Sequence, residues 1–191
     1  NNSSKESILI SGSWDGTAKL WNPSTGQCLA TLPGHENTVS VQGLPLLDNR
    51  GRIATGSAGM AQGNQIVNHK IRLWDVTVSD GGVYSAQLKT TVGDDHQGPL
   101  RGLAYDSSSQ MLLSCSNDGT VKVRDVITAE TVTTLSFPYQ SSQPPMLLSV
   151  SEVGDGRIVA GAEDGSVVVW NANSMNDDAV QVIPHPNCVW K

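Results

Sequence analysis

The sequence contains no apolar run approaching the roughly 18 to 20 residues that a helix needs to cross a bilayer. Its start, Asn1 to Ser7, is polar, whereas a secretory signal would be basic and then apolar. With 12 Lys and Arg against 18 Asp and Glu, the net charge is −6, which leaves no basic surplus to neutralise phosphates. We therefore expect a protein that binds neither membranes nor nucleic acids.

Cysteine is scarce too, and Cys28, Cys115 and Cys188 form no Cys-x-x-Cys pair. Neither a zinc site nor a disulfide framework is indicated, so a reducing compartment, cytoplasmic or nuclear, is expected. The four histidines fall at no metal-ligand spacing. The glycines at 59 and 63 lack the Lys and Ser/Thr that would complete a phosphate loop. We expect no metal and no cofactor.

What the chain does contain is one pattern repeated four times: a small-residue strand end, a turn, and an alternating strand that closes on Trp-Asn, Trp-Asp or a variant of these. The copies span 11–22, 55–75, 114–125 and 160–171. Equivalent positions recur at intervals of 46 to 53 residues, and they are Trp21, Trp74, Arg124 and Trp170. WD repeats have a period of about 40 to 45 residues, so modest insertions account for the difference.

Each copy has the features of strands joined by tight hairpins. Apolar residues alternate with other residues before each closing position, which is the period of a strand with one buried face. Asp-Gly pairs begin at Asp15, Asp118 and Asp164, and they supply the positive φ that such turns require. No stretch shows the periodicity of a long amphipathic helix. The predicted fold is an all-β, WD-repeat β-propeller.

The repeats predict one partial propeller over residues 1–191, with about four of an expected seven blades. The blade units are 7–33, 34–92, 93–138 and 139–184, and 185–191 is the start of a further blade. Because both ends fall within a blade, we expect a piece of a larger ring. Exposed sheet edges template pairing, so we also expect possible edge pairing with another chain.

The motifs LISGSWDGTAKLWN, CLATLPGHENTVSVQGLP, LRGLAYDSSSQMLLSCSNDGTVKVRD, VAGAEDGSVVVWN and IPHPNCVW resemble the phospholipase-activating protein family, from its third blade to the start of its seventh. That resemblance implies a seven-bladed amino-terminal propeller that binds ubiquitin or ubiquitylated proteins. It also implies an AAA segregase, recruited by domains absent from this chain. Such proteins are adaptors in ubiquitin-dependent degradation, so the expected function is binding without catalysis. The alternative is a generic WD-repeat scaffold for a multiprotein complex.

The sequence departs from the repeat pattern in three places. The second unit replaces the Asp-Gly turn with a longer polar loop, 59–69, which either lacks a ligand or adds a contact at the rim. The third has Arg124 where Trp is usual, and the fourth lacks a Gly-His dipeptide before its first strand. We expect these departures to weaken local hydrogen-bond networks more than they affect the fold.

Histidines before blades and aspartates in turns predict a structural network in which His, Ser or Thr, Asp and Trp satisfy one another. We expect the tryptophans to lie in the core. The network positions are His35, His96, Asp15, Asp118, Asp164, Trp21, Trp74 and Trp170. The competing hypothesis is an enzyme in which His96 and Asp118 form two thirds of a catalytic triad.

A propeller presents loops on a rigid frame, and such loops commonly carry function. By analogy with other propellers, the exposed top-face positions precede each turn Asp or flank the first apolar residue of each opening strand. They are Trp14, Asn117, Glu163, Thr38, Ser40, Pro99, Arg101, Met146, Leu148, Cys188 and Trp190. Trp14 is the preferred anchor, because its repeat equivalents are small or polar and core packing does not explain an aromatic there. The alternative is that Trp14 covers a neighbouring loop.

Overall fold

The computed structural model describes residues 8–37, 39–47, 50–62, 65–67, 69–79, 82–93, 95–106, 109–138, 144–171 and 179–187. The regular elements formed by these residues are all β-strands, which confirms the all-β expectation. No helix in the described part of the chain is long and apolar enough to cross a membrane.

Fifteen of the described strands form four antiparallel blade sheets, in which strands lie side by side in chain order, and the other two form a separate two-stranded sheet. The first blade is β1 (Leu9–Gly12), β2 (Ala18–Trp21) and β3 (Cys28–Leu32). The second blade is β4 (Val39–Leu47), β5 (Arg50–Ser57), β8 (Lys70–Val78) and β9 (Tyr84–Gly93), with β6 (Met60–Gln62) and β7 (Gln65–Val67) inserted between β5 and β8. The third is β10 (Leu100–Asp106), β11 (Met111–Ser116), β12 (Thr120–Asp125) and β13 (Thr131–Ser136). The fourth is β14 (Leu147–Glu152), β15 (Arg157–Ala162), β16 (Ser166–Asn171) and β17 (Ala179–Pro184).

The three predicted Asp-Gly turns join β1 to β2, β11 to β12 and β15 to β16. Gly16, Gly119 and Gly165 have φ of 79°, 76° and 89°, the left-handed conformation that glycine adopts without a steric penalty. The polar loop expected at 59–69 contains an antiparallel hairpin, in which β6 pairs with β7. Polar composition alone did not reveal this hairpin, because its two strands are too short to show a clear alternation.

The core lies between neighbouring blades. Leu20 of the first blade packs with Ile53 and Trp74 of the second. Leu113 of the third blade packs in one cluster with Ile158 of the fourth. Because each blade buries its apolar face against the next, the strands are held in a rigid frame and the loops at their ends have fixed positions.

In a meander of antiparallel strands, successive connections alternate between the two ends of the sheet. The Asp-Gly turns and the β5–β8 insertion therefore lie at one end, together with the loops that lead from each blade into the next. We call this end the top face. The turns β12–β13 and β14–β15 lie at the opposite end, the bottom face.

Candidate protein-binding face

The third blade contains the most complete copy of the predicted polar network. Nδ1 of His96 lies 3.0 Å from Oδ2 of Asp118, and Nε2 of His96 lies 3.0 Å from the Ser114 hydroxyl. The Thr120 hydroxyl and the Gln97 backbone N–H donate to the same carboxylate. His96 is thereby fixed between a turn and a strand, as the structural hypothesis predicts.

The connectivity of Ser114, His96 and Asp118 is that of a catalytic triad, but its setting is a core. Ser114 is fully buried and His96 is 3% exposed, so a substrate carbonyl has no approach to the hydroxyl. Burial opposes ionisation of Asp118, yet the hydrogen bonds and charge of His96, with Thr120 and Gln97, lower the pKa of Asp118 well below its usual range. This arrangement fits a structural hydrogen-bonded pair that holds the blade together.

The second blade has the same network without an aspartate. His35 Nε2 lies 2.7 Å from the Thr55 hydroxyl, and the Trp74 indole N–H donates to that hydroxyl at 2.9 Å. Burial and the nearby Arg72 charge lower the pKa of His35 to about 4, so this histidine is neutral at pH 7. The two network histidines thus differ, since His96 faces a carboxylate and His35 a guanidinium.

The first and fourth blades hold only parts of the network. The Trp21 indole donates to Ser11 at 2.8 Å, whereas no described residue accepts a hydrogen bond from the buried Trp170 indole N–H. Ala160 occupies the position equivalent to Ser11, so no hydroxyl is present to accept that hydrogen bond.

The two other turn aspartates predicted to belong to this network serve their own turns instead. Asp15 accepts from the backbone and hydroxyl of Thr17, and Asp164 accepts from the Ser166 backbone. These bonds stabilise the Asp-Gly turn from within, as Asp side chains commonly do.

The expectation that all three repeat tryptophans lie in the core is correct for two of them. Trp74 is 5% exposed and Trp170 is fully buried, but Trp21 is only partly buried. Trp74 and Trp170 each belong to a core cluster shared with the preceding blade, and the described residues include no blade before the first one.

Where the pattern has Arg in place of Trp, the third blade forms an ion pair whose guanidinium is buried and whose carboxylate is 33% exposed. The guanidinium of Arg124 is fully buried and donates to both oxygens of Asp95, at 2.5 and 2.8 Å. Thr131 contributes a hydroxyl that bonds to Asp95 at 2.8 Å. Although burial opposes ionisation of Asp95, the hydrogen bond and charge of Arg124 lower the pKa of Asp95. Sequence reasoning missed this pair, because nothing in the local pattern links residues so far apart in the chain.

Trp14 is the most exposed large apolar side chain of the described residues, at 86%. It lies in the β1–β2 turn on the top face. Exposure of this size means that its ring makes little contribution to packing within the chain.

The other top-face positions differ in accessibility. Arg101 is exposed and its Nε donates to Asn117 at 2.7 Å, while the Asn117 N–H donates to the Pro99 carbonyl. Met146 and Glu163 are both half-buried, and the Glu163 backbone N–H donates to the Met146 carbonyl. These bonds join the opening strand of a blade to its Asp-Gly turn.

One predicted top-face position is buried and others are not described. Leu148 is 9% exposed. Thr38, Cys188 and Trp190 lie outside the described residues, and for Ser40 only its place in β4 is described.

The inserted hairpin is fixed to the top face at both of its ends. The Asn37 side-chain amide donates to the Gly59 carbonyl at 2.6 Å, just before β6. After β7, the His69 Nε2–H donates to the His96 carbonyl. The hairpin therefore adds an anchored element to the top face of the second blade. Among the described residues, no group of His, Cys, Asp and Glu is arranged to hold a metal ion.

Comparison with known families gives a match to the WD domain, G-beta repeat, over residues 2–22, 26–75 and 87–125. These segments make up more than half of the chain.

Curated relatives include nuclear distribution protein nudF of Emericella nidulans, 30% identical over 95% of this chain and 36% of its own length. Protein tipD of Dictyostelium discoideum is 27% identical over 95% of this chain and 28% of its length. Human striatin-4 is 25% identical over 95% of this chain and 26% of its length. The chain thus spans about a quarter to a third of the length of these relatives.

Among solved structures, the WD40 β-propeller domain of Doa1 is similar, with a TM-score of 0.71 and 26% identity over 96% of this chain and 52% of that one. Doa1 is a member of the phospholipase-activating protein family, the family that the sequence motifs resemble. The sequence relatives, by contrast, are varied WD-repeat proteins.

Proposed function

Because this chain belongs to the WD-repeat β-propeller family, we propose that it is a non-catalytic adaptor whose top face binds ubiquitin or ubiquitylated proteins. Rigid blades that hold loops in fixed positions suit recognition of a protein surface. The single observation that carries the proposal is the 86% exposure of Trp14 on that face. Tryptophan is enriched among the residues that dominate binding energy at protein interfaces.

The choice of ubiquitin as the partner has two supports. The motifs resemble the phospholipase-activating protein family, and the propeller domain of Doa1, a member of that family, has a similar structure. The exposed indole suits an apolar patch on a small folded partner. In a longer protein, further domains would recruit the AAA segregase, and the pathway would operate in the cytoplasm or nucleus.

The test is a titration of ¹⁵N-labelled ubiquitin with the 191-residue chain, in which ubiquitin amide shifts are followed. We expect fast-exchange shifts confined to the apolar patch of ubiquitin. A Trp14→Ala variant should lose them while keeping its unfolding midpoint, since an 86% exposed side chain contributes little to packing.

Ile127→Ala is the matched control. Ile127 is 61% exposed, but it lies in the β12–β13 turn on the bottom face. Its removal should leave the ubiquitin shifts unchanged. A folded chain that produces no shifts in ubiquitin refutes ubiquitin binding by this chain and favours the scaffold alternative. The scaffold alternative itself predicts a large interface with slow dissociation.

A further inference from the structure

Trp14 shares the top face with two carboxylates. Asp15 follows it in the β1–β2 turn and Glu36 is on the loop that leads into the second blade, and both are exposed. The His35 backbone N–H donates to the Gly16 carbonyl at 3.2 Å, so the loop carrying Glu36 is docked on the turn carrying Trp14. An indole ring and two carboxylates are therefore presented by two loops that are fixed to each other.

Asp15 is ionised and exposed. Both hydrogen bonds from Thr17, at 2.9 and 2.7 Å, go to Oδ1. These bonds lower the pKa of Asp15, burial opposes them, and a hydrogen bond from the Ser13 side chain lowers it further. The negative charge of Asp15 therefore lies on the surface beside the exposed ring.

Two positive side chains of the described residues make contacts away from the Trp14 ring. The Lys19 ammonium lies 5.7 Å from the centre of the Trp21 ring, and it acts on Asp15 only as the weakest of the effects that lower its pKa. Arg72 donates to the Pro33 carbonyl at 3.1 Å.

We propose that the surface formed by Trp14, Asp15 and Glu36 receives an arginine or lysine side chain that borders an apolar patch on the partner. The face of an indole attracts a cation, and exposed carboxylates add a screened Coulomb attraction. A partner that presents a carboxylate at the same place is disfavoured. The inference rests on the proposed function, because the same top face binds the partner. It specifies the charge of the partner side chain that this face selects.

The first test measures the local field by fluorescence quenching. The difference between the chain and a Trp14→Phe variant isolates the emission of Trp14. Relative to a free tryptophan amide, Cs⁺ should quench this emission more efficiently than iodide does. Glu36→Lys should reverse the preference, whereas Glu130→Lys, an exposed position in the β12–β13 turn, should leave it unchanged. Equal quenching by the two ions overturns the inference.

The second test measures selection of the ligand. Ubiquitin affinity should fall about fivefold in Glu36→Lys, the size expected for one exposed cation contact, and should fall with added salt. Glu130→Lys is the control. If ubiquitin binds with an affinity that changes neither with added salt nor in Glu36→Lys, the inference is overturned and the proposed function stays intact.

If ubiquitin does not bind at all, the proposed function fails and a peptide pair decides the inference. The probes are acetyl-Gly-Leu-Arg-Leu-Gly-amide and the same peptide with Glu in place of Arg, followed by Trp14 emission. The arginine peptide should bind about fivefold more tightly. Peptides that do not differ overturn the inference.

Discussion

Arg124 and Asp95 form a two-point ion pair in the third blade, with N–O distances of 2.5 and 2.8 Å, at a repeat position where the other three blades have tryptophan. A fully buried guanidinium without its carboxylate is strongly unfavourable. The fold tolerates arginine here because Asp95 immediately precedes His96 and reaches the same interior position.

Asp95→Ala should therefore destabilise the chain by about 3 kcal/mol, because it leaves the Arg124 charge buried and unpaired. Urea unfolding at pH 7 measures the change. Asp155→Ala is the control, since the Asp155–Arg157 pair is about half exposed on both sides and should contribute little. Equal effects in the two variants would contradict the structural role given to Arg124.

Ala160→Ser should stabilise the fourth blade by about 1 kcal/mol, because its hydroxyl would accept the hydrogen bond that the buried Trp170 indole now lacks. Ser11→Ala is the reciprocal change, since it removes the existing acceptor of the Trp21 indole. Unfolding midpoints of both variants provide the check. A serine at 160 that destabilises the fold would show that the space around Trp170 cannot accept a hydroxyl.

His35 should make stability depend on pH between about 6.5 and 4. Its folded pKa of about 4 lies below the unfolded value of 6.5, so the stabilisation is fully present above pH 6.5 and is lost as the pH falls toward 4. At about 1.4 kcal/mol per pKa unit, the loss is at most roughly 3 kcal/mol. Unfolding free energies at pH 7 and pH 5 should differ more in the natural chain than in His35→Gln. If the unfolding free energy depends on pH in the same way in both proteins, the lowered pKa of His35 is refuted.

Gly16→Ala should loosen the loop that carries Glu36. The added Cβ would lie 2.2 Å from the His35 carbonyl oxygen, and φ at Gly16 is 79°. Gly26→Ala is the matched control, because φ there is 71° but nothing lies within 4 Å of the added carbon. The control isolates the cost of positive φ, about 1 kcal/mol. A substantially larger loss is expected at Gly16, and equal losses would mean that the docked loop adjusts freely.

Much of the fold was predictable from sequence because the repeat is encoded locally. Alternating residues and Asp-Gly pairs locate three of the hairpins, such as the one at Gly119. The β6–β7 hairpin was not predictable, since its strands are short and its polar composition is that of a loop. The half-exposed Trp21 was also missed, because a repeat pattern does not show how much of each sheet its neighbours cover.

The candidate face was predictable only in part. Repeat comparison singled out Trp14, and its exposure agrees with that reasoning. It failed for Leu148, which is 9% exposed. The Arg124–Asp95 pair and the contact of His35 with Gly16 depend on loops that meet in space, and neither leaves a signal at short sequence distance.

The most direct test of the central claim observes the five tryptophan side chains of the chain itself. Indole N–H signals of the ¹⁵N-tryptophan-labelled chain would be followed as unlabelled ubiquitin is added, with assignment by Trp14→Phe. The account predicts that the Trp14 signal moves in a saturable way while that of the fully buried Trp170 stays in place. A Trp14 signal that does not move at saturating ubiquitin would contradict recognition of ubiquitin by this face.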